Sequence, residues 1–436
     1  MGASVDRSLR LRLHVISAIS LLWVGSLAGA GCAFLTQIML ARHLAPAGFG
    51  AFAASLNIVT LAAPLASFGL GGFWLRIFGE EGWRAERWLK PSLRYAIGTT
   101  TAVLAGLLLW AFFGPHDEQT RWIIAILSFH LLGFVAVDLV SSKLQLEARY
   151  RALALWQFFP HFVRLALIAS LAWTMMRGLQ LQDVVIVYAV TAAAASGMGI
   201  RYLWQMRQGR FDLHGHGARP ETSGEFVEPP LRQVASIAWP FGMAGLFHLV
   251  YYQIDIVLLK YLQGDDAAGV YSVAFVVMGA VYMLPSVIYQ KFLLPKIHRW
   301  ANHDRDRFVH VYRTGRLVML GIGLAGMLAI WILSPLVVNI LFGPDYSAAS
   351  TALRILAFAI PLRFVATAVG STLTTQDHMR TKVKLMGSVA VINIVLNLAL
   401  IPIYGINGAS VATVVSELTL LVLYYYGSRK YVFKEL

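Results

Sequence analysis

The sequence predicts an all-α membrane protein with about twelve transmembrane helices, arranged in two pseudo-symmetric six-helix lobes around a central cavity. Three features lead to this prediction: the composition of the chain, the length of its apolar runs and the similarity between its two halves. Of the 436 residues, 58% are hydrophobic and 13% are charged, and the mean hydropathy is +0.65. A soluble core does not need so large an apolar share, so lipid is the predicted surrounding of most of the chain.

Long apolar runs decide between the two architectures that cross a bilayer, helix bundles and closed β-barrels. Residues 184–195 and 317–333 are apolar on every face, whereas a barrel strand alternates polar and apolar residues over roughly ten positions. Apolar stretches of about twenty residues therefore predict helical spans. In the first half these lie near residues 16–38, 49–73, 95–113, 122–141, 153–174 and 184–204. In the second half they lie near residues 234–258, 268–290, 316–341, 352–375, 384–403 and 408–427.

The basic residues predict the orientation of the chain. With the amino terminus in the cytoplasm, about 29 of the 36 Lys and Arg residues fall on cytoplasmic segments. The few basic residues left for the outer side are Arg42, Arg121, Arg177, Lys260 and Arg354. One missed helix would reverse the side assigned to every later loop, and the difference in Lys and Arg content between the two sides would be lost. The sequence therefore predicts an even number of spans in the cytoplasmic (inner) membrane, with both termini in the cytoplasm.

A polar segment divides the chain near its middle. Residues 207–232 are rich in Gly, Pro, His and charged side chains, which predicts a flexible cytoplasmic linker. The predicted domains are an N-terminal lobe over residues 1–206, this linker, and a C-terminal lobe over residues 233–436. The sequences GAFAA at 50–54 and GVYSV at 269–273 open the second and eighth spans, and this similarity predicts a parallel repeat.

Composition excludes several classes of function. The net charge of +14 would suit nucleic acid only as a patch on a soluble face, but it lies between apolar spans, so no nucleic-acid partner is predicted. The lone Cys32 excludes a disulfide framework and a cysteine-ligated metal cluster. No catalytic residue, metal site or cofactor is predicted, and we expect the protein not to be an enzyme.

Motifs in three parts of the chain are similar to those of a known family. They are ARHLAPAGFG at 41–50 with SFGL at 67–70, DIVLL at 255–259 with AGVY at 268–271, and NLALIPIYGINGASVAT at 397–413 with SE at 416–417. Together these segments resemble the polysaccharide (O-antigen type) flippase family, within the superfamily of multidrug, oligosaccharidyl-lipid and polysaccharide exporters. The resemblance covers nearly the whole chain.

This resemblance implies a flippase that moves an undecaprenyl-pyrophosphate-linked oligosaccharide across the cytoplasmic membrane by alternating access, coupled to an ion gradient. The implied partners are this substrate, membrane lipids, a coupling proton or sodium ion, and other polysaccharide-assembly proteins. Composition does not separate this function from a cation-coupled drug or metabolite antiporter on the same scaffold. A membrane glycosyltransferase or polymerase is a further alternative, but it predicts larger outer loops with acidic residues.

Two arginines lie near the middle of predicted spans, where a charge costs about 2.5 to 3.5 kcal/mol on insertion scales. Arg164 shares a helical face with Gln157 and His161. A polar stripe follows Arg363 at helical spacing: Thr367, Ser371 and Thr374. Because guanidinium matches phosphate and stays charged, Arg164 and Arg363, with Gln157 and His161, are predicted to bind the anionic part of a substrate. The alternative is a buried structural ion pair.

Three acidic residues are candidates for ion coupling: Asp138, Asp255 and Glu417. A carboxylate in a medium of low dielectric constant can carry a proton, or it can ligate sodium with hydroxyl and carbonyl oxygens. The alternative is that each carboxylate pairs with an arginine or caps an interfacial turn. This alternative is favoured for Asp255, which is predicted to lie close to the outer interface.

Three further residues are predicted to contact the substrate. Asn393 and Asn397, one turn apart in the eleventh span, are predicted to contact sugar hydroxyls, although they could equally hold helices together. Arg76 belongs to a basic segment that is predicted to lie on the anionic leaflet and to recruit the lipid pyrophosphate, although orientation alone also explains its charges. The other basic residues of this segment are Arg84, Arg87, Lys90 and Arg94.

Overall fold

Helices make up nearly all of the residues that the structure describes. The computed structural model describes residues 2–174, 178–217, 219, 227–286, 304–373 and 379–433, with the backbone alone for residues 2–22, 286 and 305. Across these ranges every regular element is helical and none is a β-strand. The predicted all-α class is therefore confirmed.

Thirteen α-helices follow one another along the described residues. The first seven are α1 (Gly2–Ser67), α2 (Leu70–Glu81), α3 (Leu89–Phe113), α4 (Glu118–Ser128), α5 (His130–Leu146), α6 (Tyr150–Thr174) and α7 (Leu181–Arg207). The other six are α8 (Leu231–Gln263), α9 (Asp265–Ser286), α10 (Arg305–Phe342), α11 (Ala349–Ala357), α12 (Ala359–Thr372) and α13 (Met379–Gly427). Shorter helical turns span Gly82–Trp88, Pro344–Tyr346 and Ser428–Val432.

The helices are long enough to account for the predicted spans. Among the described residues, eight helical stretches are long and apolar enough to cross a membrane, or nine if α11 and α12, bent by 43°, count as one span. Two stretches are far too long for one crossing: Trp23–Phe113 has 91 residues and Met379–Val432 has 54. At 1.5 Å per residue they would extend about 135 and 80 Å, against a hydrocarbon core of about 30 Å. Trp23–Phe113 covers most of the first predicted span and all of the second and third, and Met379–Val432 covers the last two. The structure is therefore consistent with about twelve spans.

Backbone breaks interrupt both of these long stretches. Ala45 in α1 (φ 55°, ψ 170°) and Gly405 in α13 (φ 54°, ψ −131°) leave helical geometry. Positive φ is readily adopted by glycine, and Ala45 precedes Pro46, whose ring disfavours helical geometry at the residue before it. Both breaks lie in segments that carry the family resemblance, between predicted spans.

The chain divides into two compact units that interleave in sequence. Unit 1 comprises Met1–Thr36 and Ala62–Gly242, and unit 2 comprises Gln37–Leu61 and Met243–Leu436. In unit 1, α5 packs against α6 and α7. In unit 2, α12 packs against α10 and α13. The division into lobes at 1–206 and 233–436 stays a prediction.

The first motif of the family resemblance is anchored within unit 2. Arg42 donates hydrogen bonds to the backbone oxygens of Leu341, at 2.8 Å, and Ile340. The Tyr346 hydroxyl donates to the backbone oxygen of Ala41 at 2.8 Å, and burial raises the pKa of the Tyr346 phenol above its usual range. Arg42 therefore satisfies carbonyl groups at the end of α10, which have no partner within the helix.

The two short sequences whose similarity predicts the repeat pack against each other. A Cβ atom on Gly50 would lie 1.8 Å from the backbone oxygen of Asp265, and one on Gly269 would lie 2.0 Å from that of Pro46. The second half of α1 and the start of α9 therefore touch backbone to backbone in unit 2. Small residues permit such close approach between membrane helices.

Replacing Gly50 with alanine is expected to destabilise the protein by about 2 kcal/mol, because the new methyl group has to push α1 and α9 apart. The measurement is the melting temperature of the purified protein in detergent. Gly79→Ala is the matched control, since a Cβ atom on Gly79 meets nothing within 4 Å. Equal melting temperatures for the two variants would contradict the close contact.

The described part of the predicted linker belongs to unit 1 and packs against other residues of that unit. The ring of Phe211 lies 5.7 Å from that of Phe78 and 5.4 Å from that of Trp83. Arg219 donates a hydrogen bond to Glu86 at 2.6 Å. These contacts hold this part of the linker against the end of α2 and the helical turn that follows it.

Candidate functional site

A buried carboxylate lies within unit 2. Asp255 on α8 is 0% exposed. Its oxygens accept hydrogen bonds from Tyr271 of α9 at 2.9 Å, from Asn397 of α13 at 2.7 Å, and from Thr413 of α13. Within the described residues, no cationic side chain forms an ion pair with it. A buried charge is unfavourable unless it is paired or hydrogen-bonded, and here neutral donors alone stabilise the carboxylate.

The hydrogen bonds around Asp255 continue along α13. The Asn397 amide nitrogen also donates to the backbone oxygen of Asn393 at 2.9 Å, and Asn393 donates to Ser416 at 3.1 Å. Asn397 Oδ1 is buried and has no hydrogen-bond partner in the part of the chain that the structure describes. A carboxylate beside a free amide oxygen suits a hard cation, which prefers oxygen ligands. The interhelical bonds match the alternative role of the asparagines, and their contact with sugar stays a prediction.

Arg363 on α12 has its charge neutralised within unit 2. Its Nη1 donates to Glu417 Oε1 at 2.9 Å and to the Tyr251 hydroxyl at 3.2 Å. The guanidinium carbon also lies 5.6, 5.3 and 5.5 Å from the ring centres of Tyr251, Tyr252 and Tyr282. The Arg363 side chain is 14% exposed and that of Glu417 is 2% exposed. This is the geometry of the structural ion pair that sequence reasoning kept as the alternative, and the role of Arg363 in substrate binding stays a prediction.

The polar stripe that follows Arg363 bonds to its own helix. Thr367 donates to the backbone oxygen of Arg363 at 2.8 Å, and Ser371 donates to that of Ala368 at 2.7 Å. Such bonds satisfy the hydroxyls locally, as is usual for Ser and Thr in membrane helices. Thr374 lies outside the described residues.

Replacing Glu417 with glutamine is expected to lower the free energy of unfolding by about 3 kcal/mol, because it leaves the Arg363 guanidinium buried without a counter-charge. Melting temperature in detergent measures the effect. The double variant Arg363→Met/Glu417→Leu should recover most of the loss, since replacing a buried ion pair with apolar side chains is often neutral.

The matched control is Glu80→Gln, which breaks an ion pair at the surface. Glu80 pairs with Arg76 at 2.8 Å, and the two side chains are 54% and 48% exposed. Exposed pairs contribute about 0 to 1 kcal/mol. A loss at Glu417 no larger than that at Glu80 would show that the Arg363 charge is reached by solvent.

Arg164 on α6 of unit 1 has no such counter-charge. Its guanidinium carbon lies 4.3 Å from the ring centre of Tyr188 on α7, and no carboxylate among the described residues pairs with it. The nitrogen atoms Arg164 Nε, His161 Nδ1 and His130 Nδ1 are buried and lack a hydrogen-bond partner within the described residues. The His130 ring lies 5.7 Å from that of Tyr188, and Arg164 and His161 lie near it.

The Arg164 cluster, formed by His130, His161, Arg164 and Tyr188, therefore carries an arginine charge that no carboxylate among the described residues neutralises. A cation–π contact is worth about 2 kcal/mol when desolvated. An arginine near the bilayer centre costs about 2.5 to 3.5 kcal/mol on insertion scales and more in simulations. Tyr188 thus offsets only part of the cost, and an anion bound at the cluster would supply the rest.

Two other residues of this face contact neighbouring helices. Gln157 donates to Ser141 of α5 at 3.4 Å. A Cβ atom on Gly29 of α1 would lie 3.5 Å from His161 Cδ2, so the first part of α1 packs beside the imidazole. Gln157, His161 and Arg164 thus face into unit 1, and their predicted role in substrate binding stays a prediction.

Asp138 on α5 lies where α2 approaches closely. Its side chain lies near that of Ser67, and Ser142 donates to its backbone oxygen at 3.2 Å. A Cβ atom on Gly71 would lie 3.0 Å from Asp138 Oδ1, which explains why glycine stands there. No cation among the described residues pairs with Asp138, and its role in ion coupling stays a prediction.

The basic segment around Arg76 is largely paired with acidic residues of unit 1. Arg76 pairs with Glu80, as described above. Arg87 pairs with Glu81 at 3.0 Å, and both Lys90, at 3.6 Å, and Arg94, at 3.2 Å, pair with Glu228. Because such exposed pairs are weak, Arg76 stays accessible, and its recruitment of a pyrophosphate stays a prediction.

The sequence analysis missed several residues of the Asp255 site and of the Arg164 cluster. His130 and Tyr188 were not linked to Arg164, and Tyr271 was noted only as part of the repeat and of the family motif AGVY. Thr413 lies 158 positions from Asp255, so no spacing rule could have paired them.

The fold is similar to those of solved membrane transporters. The structure of the lipid II flippase MurJ in an inward closed conformation has a TM-score of 0.71 at 12% identity, covering 94% of this chain and 87% of MurJ. A multidrug resistance MATE family transporter of the MOP superfamily, in an inward-facing conformation, has a TM-score of 0.66 at 13% identity, covering 95% and 98%. The fold is thus that of a multi-pass membrane transporter.

The family follows from the sequence profiles. The profile described as polysaccharide biosynthesis protein matches residues 15–300, and the MatE profile matches residues 240–399. The chain therefore belongs to the polysaccharide biosynthesis protein family, among the polysaccharide flippases of the MOP superfamily. The predicted family is confirmed.

Two curated relatives come from Haloferax volcanii. The probable flippase AglR is 25% identical over 404 residues, which are 88% of this chain and 76% of AglR. The probable low-salt glycan biosynthesis flippase Agl15 is 22% identical over 400 residues, which are 91% of this chain and 79% of Agl15. Both relatives are named as probable flippases, and with the family match they confirm the prediction that the protein is a transporter and not an enzyme.

Proposed function

We propose that the protein flips an undecaprenyl-pyrophosphate-linked oligosaccharide from the cytoplasmic to the outer leaflet of the cytoplasmic membrane, by alternating access driven by an ion gradient. Both termini lie in the cytoplasm, and the product passes to other polysaccharide-assembly proteins. The relatives support the class of substrate, because Agl15 is named for glycan biosynthesis and MurJ for lipid II. The distribution of Lys and Arg supports the orientation.

The observation that carries this proposal is the unneutralised charge of the Arg164 cluster. A pyrophosphate is a dianion or stronger, and guanidinium with imidazole N–H groups offers charge-assisted hydrogen bonds to its oxygens. The buried nitrogen atoms Arg164 Nε, His130 Nδ1 and His161 Nδ1 have no hydrogen-bond partner among the described residues. The cluster therefore selects for an anionic headgroup.

Asp255 is the residue that we assign to ion coupling. Glu417 is already neutralised by Arg363, whereas Asp255 is fully buried and its partners are neutral donors. Asn397 Oδ1 supplies a second oxygen ligand beside it. Binding and release of a proton or a sodium ion at Asp255 would change the charge shared by α8, α9 and α13, which is what coupling requires. Fewer hydrogen-bond donors surround the Asp138 carboxylate, so Asp138 is the second candidate for ion coupling.

A cation-coupled drug or metabolite antiporter is the second candidate function. The match of the MatE profile to residues 240–399 favours it, because this region holds Asp255. The Arg164 cluster argues against a cationic drug, since like charges at close range repel each other. Protein-dependent efflux of a cationic dye from liposomes, at a rate equal to that of the glycolipid or higher, would favour the antiporter.

The decisive experiment reconstitutes the purified protein in liposomes with a polyprenyl-pyrophosphate-linked oligosaccharide. A membrane-impermeant lectin or glycosidase measures how much of the sugar is exposed on each side, under an imposed sodium or proton gradient. We expect protein-dependent transfer that one of the two gradients accelerates. The absence of transfer under either gradient would overturn the proposal, provided that the protein melts cooperatively after extraction from the liposomes.

A further inference from the structure

A cavity outside both sites lies at the end of α7 in unit 1. Its volume is about 500 Å³, and it is lined by Arg149, Met198, Arg201, Tyr202 and Gln205. The four residues from α7 follow one another at intervals of three, one and three positions, so they share one helical face. A cavity of this size holds a lipid headgroup or a small organic anion with ease.

The turn between α5 and α6 places Arg149 at this cavity. Ala148 adopts φ 53°, which is unfavourable for a residue with a Cβ atom. The backbone nitrogen of Arg149 donates to the oxygen of Leu144 at 2.9 Å, as in a helix-terminating turn. A strained backbone of this kind persists only where the surrounding structure enforces it, so the turn fixes the backbone of Arg149 beside the cavity.

A buried carboxylate lies near Arg149 without cancelling the charge of the site. Glu147 is 4% exposed and pairs with Lys143, which is 2% exposed, and it lies 3.7 Å from Arg149. Glu147 is thus shared by two cations. Arg201 pairs with no carboxylate among the described residues. The single charge of Glu147 is opposed by Lys143, Arg149 and Arg201, so the surroundings of the cavity keep a net positive charge.

Tyr202 is held in place by the core of unit 1. Its ring lies 5.8 Å from that of Trp156 and 5.7 Å from Lys143 Nζ, and it packs against the buried cluster that contains Leu144 and Leu153. The polar lining of the cavity therefore consists of the fixed Tyr202 hydroxyphenyl group, the Gln205 amide and the guanidinium groups of Arg149 and Arg201. These are the donors that bind phosphate oxygens in proteins.

We propose that this cavity binds the phosphate headgroup of an anionic phospholipid from the leaflet on the side of the Lys- and Arg-rich segments. The choice of a lipid over a soluble phosphate follows from the flanking surface of α7. Met198, Ile200 and Trp204 are 41%, 66% and 54% exposed, and an apolar surface in a membrane helix contacts acyl chains. Arg149 and Arg201 would hold the phosphate oxygens while Met198 contacts the first methylene groups.

The test measures lipid binding to the purified, delipidated protein by native mass spectrometry and by the shift in melting temperature. The two probes are phosphatidylglycerol and phosphatidylcholine with the same acyl chains. We expect phosphatidylglycerol to bind about tenfold more tightly, with a preference that weakens at high salt. Arg149→Gln/Arg201→Gln should abolish this preference, and Tyr202→Phe, which keeps the ring against Trp156, should reduce it.

The matched control is Arg151→Gln/Arg207→Gln, which removes one arginine near the start of α6 and one at the end of α7. Both are exposed and neither lines the cavity. This control should keep the full preference. Equal binding of the two lipids, or a preference that survives Arg149→Gln/Arg201→Gln, would overturn the proposal. Displacement of phosphatidylglycerol by millimolar inorganic phosphate would also overturn it, because the site would then serve a soluble phosphate compound.

Discussion

Replacing Asp255 with asparagine is expected to remove the acceleration of transport by an ion gradient, with a fall in the gradient-driven rate of about tenfold or more. The reason is electrostatic. Asparagine has nearly the shape of aspartate, but its neutral amide neither carries a proton nor attracts a sodium ion. The liposome assay measures the rate with a sodium gradient, with a proton gradient and with neither, so it also identifies the ion.

Two further variants keep this prediction testable. Asp266→Asn, in the first turn of α9, removes an exposed carboxylate and should leave the gradient response intact. Asp255→Glu retains the charge and should keep a response, although with altered ion affinity. An Asp255→Asn protein that melts like the parent protein and still responds fully to the gradient would show that coupling lies elsewhere, with Asp138 as the next candidate.

Replacing Arg164 with glutamine is expected to reduce transport of the pyrophosphate-linked substrate by about tenfold to a hundredfold, which corresponds to the loss of charged hydrogen bonds to phosphate. Arg164→Lys should restore part of the activity, because it keeps the charge but lacks the planar fork. The expected effect on stability has the opposite sign. Glutamine in place of an uncompensated cation should leave the melting temperature unchanged or raise it.

This combination of lower activity and unchanged or higher stability separates a binding role from a structural one. Arg354→Gln is the matched control, since Arg354 also stacks on an aromatic ring, with its guanidinium carbon 5.9 Å from the ring centre of Trp331, but is exposed at the surface. It should leave both quantities unchanged. A lower melting temperature for Arg164→Gln, together with full activity in the protein that remains folded, would assign Arg164 to structure.

Arg164 and Arg363, which are predicted to lie near the middle of spans, show how much the sequence pattern reveals about a buried charge. Both were recognised from the sequence because a cation inside an apolar run is conspicuous whatever surrounds it. Their environments could not be told apart in this way. Arg363 meets Glu417, which lies 54 positions away along the chain, whereas Arg164 lies against Tyr188 and meets no carboxylate among the described residues.

Asp255 shows the same limit. Its position in a span was visible, and pairing with an arginine or capping of a turn was the favoured interpretation. The structure instead surrounds it with neutral donors from α9 and α13, at separations of 16, 142 and 158 positions. Helical periodicity reports on neighbours within one helix, and these partners belong to others.

The amino-acid sequence by itself determined the class of protein, the course of most helices and the family. The cause is that a bilayer leaves a chain of this composition little choice but helices of about twenty apolar residues, and that small-residue motifs mark the breaks between them. Tertiary structure alone decided which charges are cancelled and which stay open. That outcome depends on the register and rotation of one helix against the next, which packing sets and sequence spacing does not report.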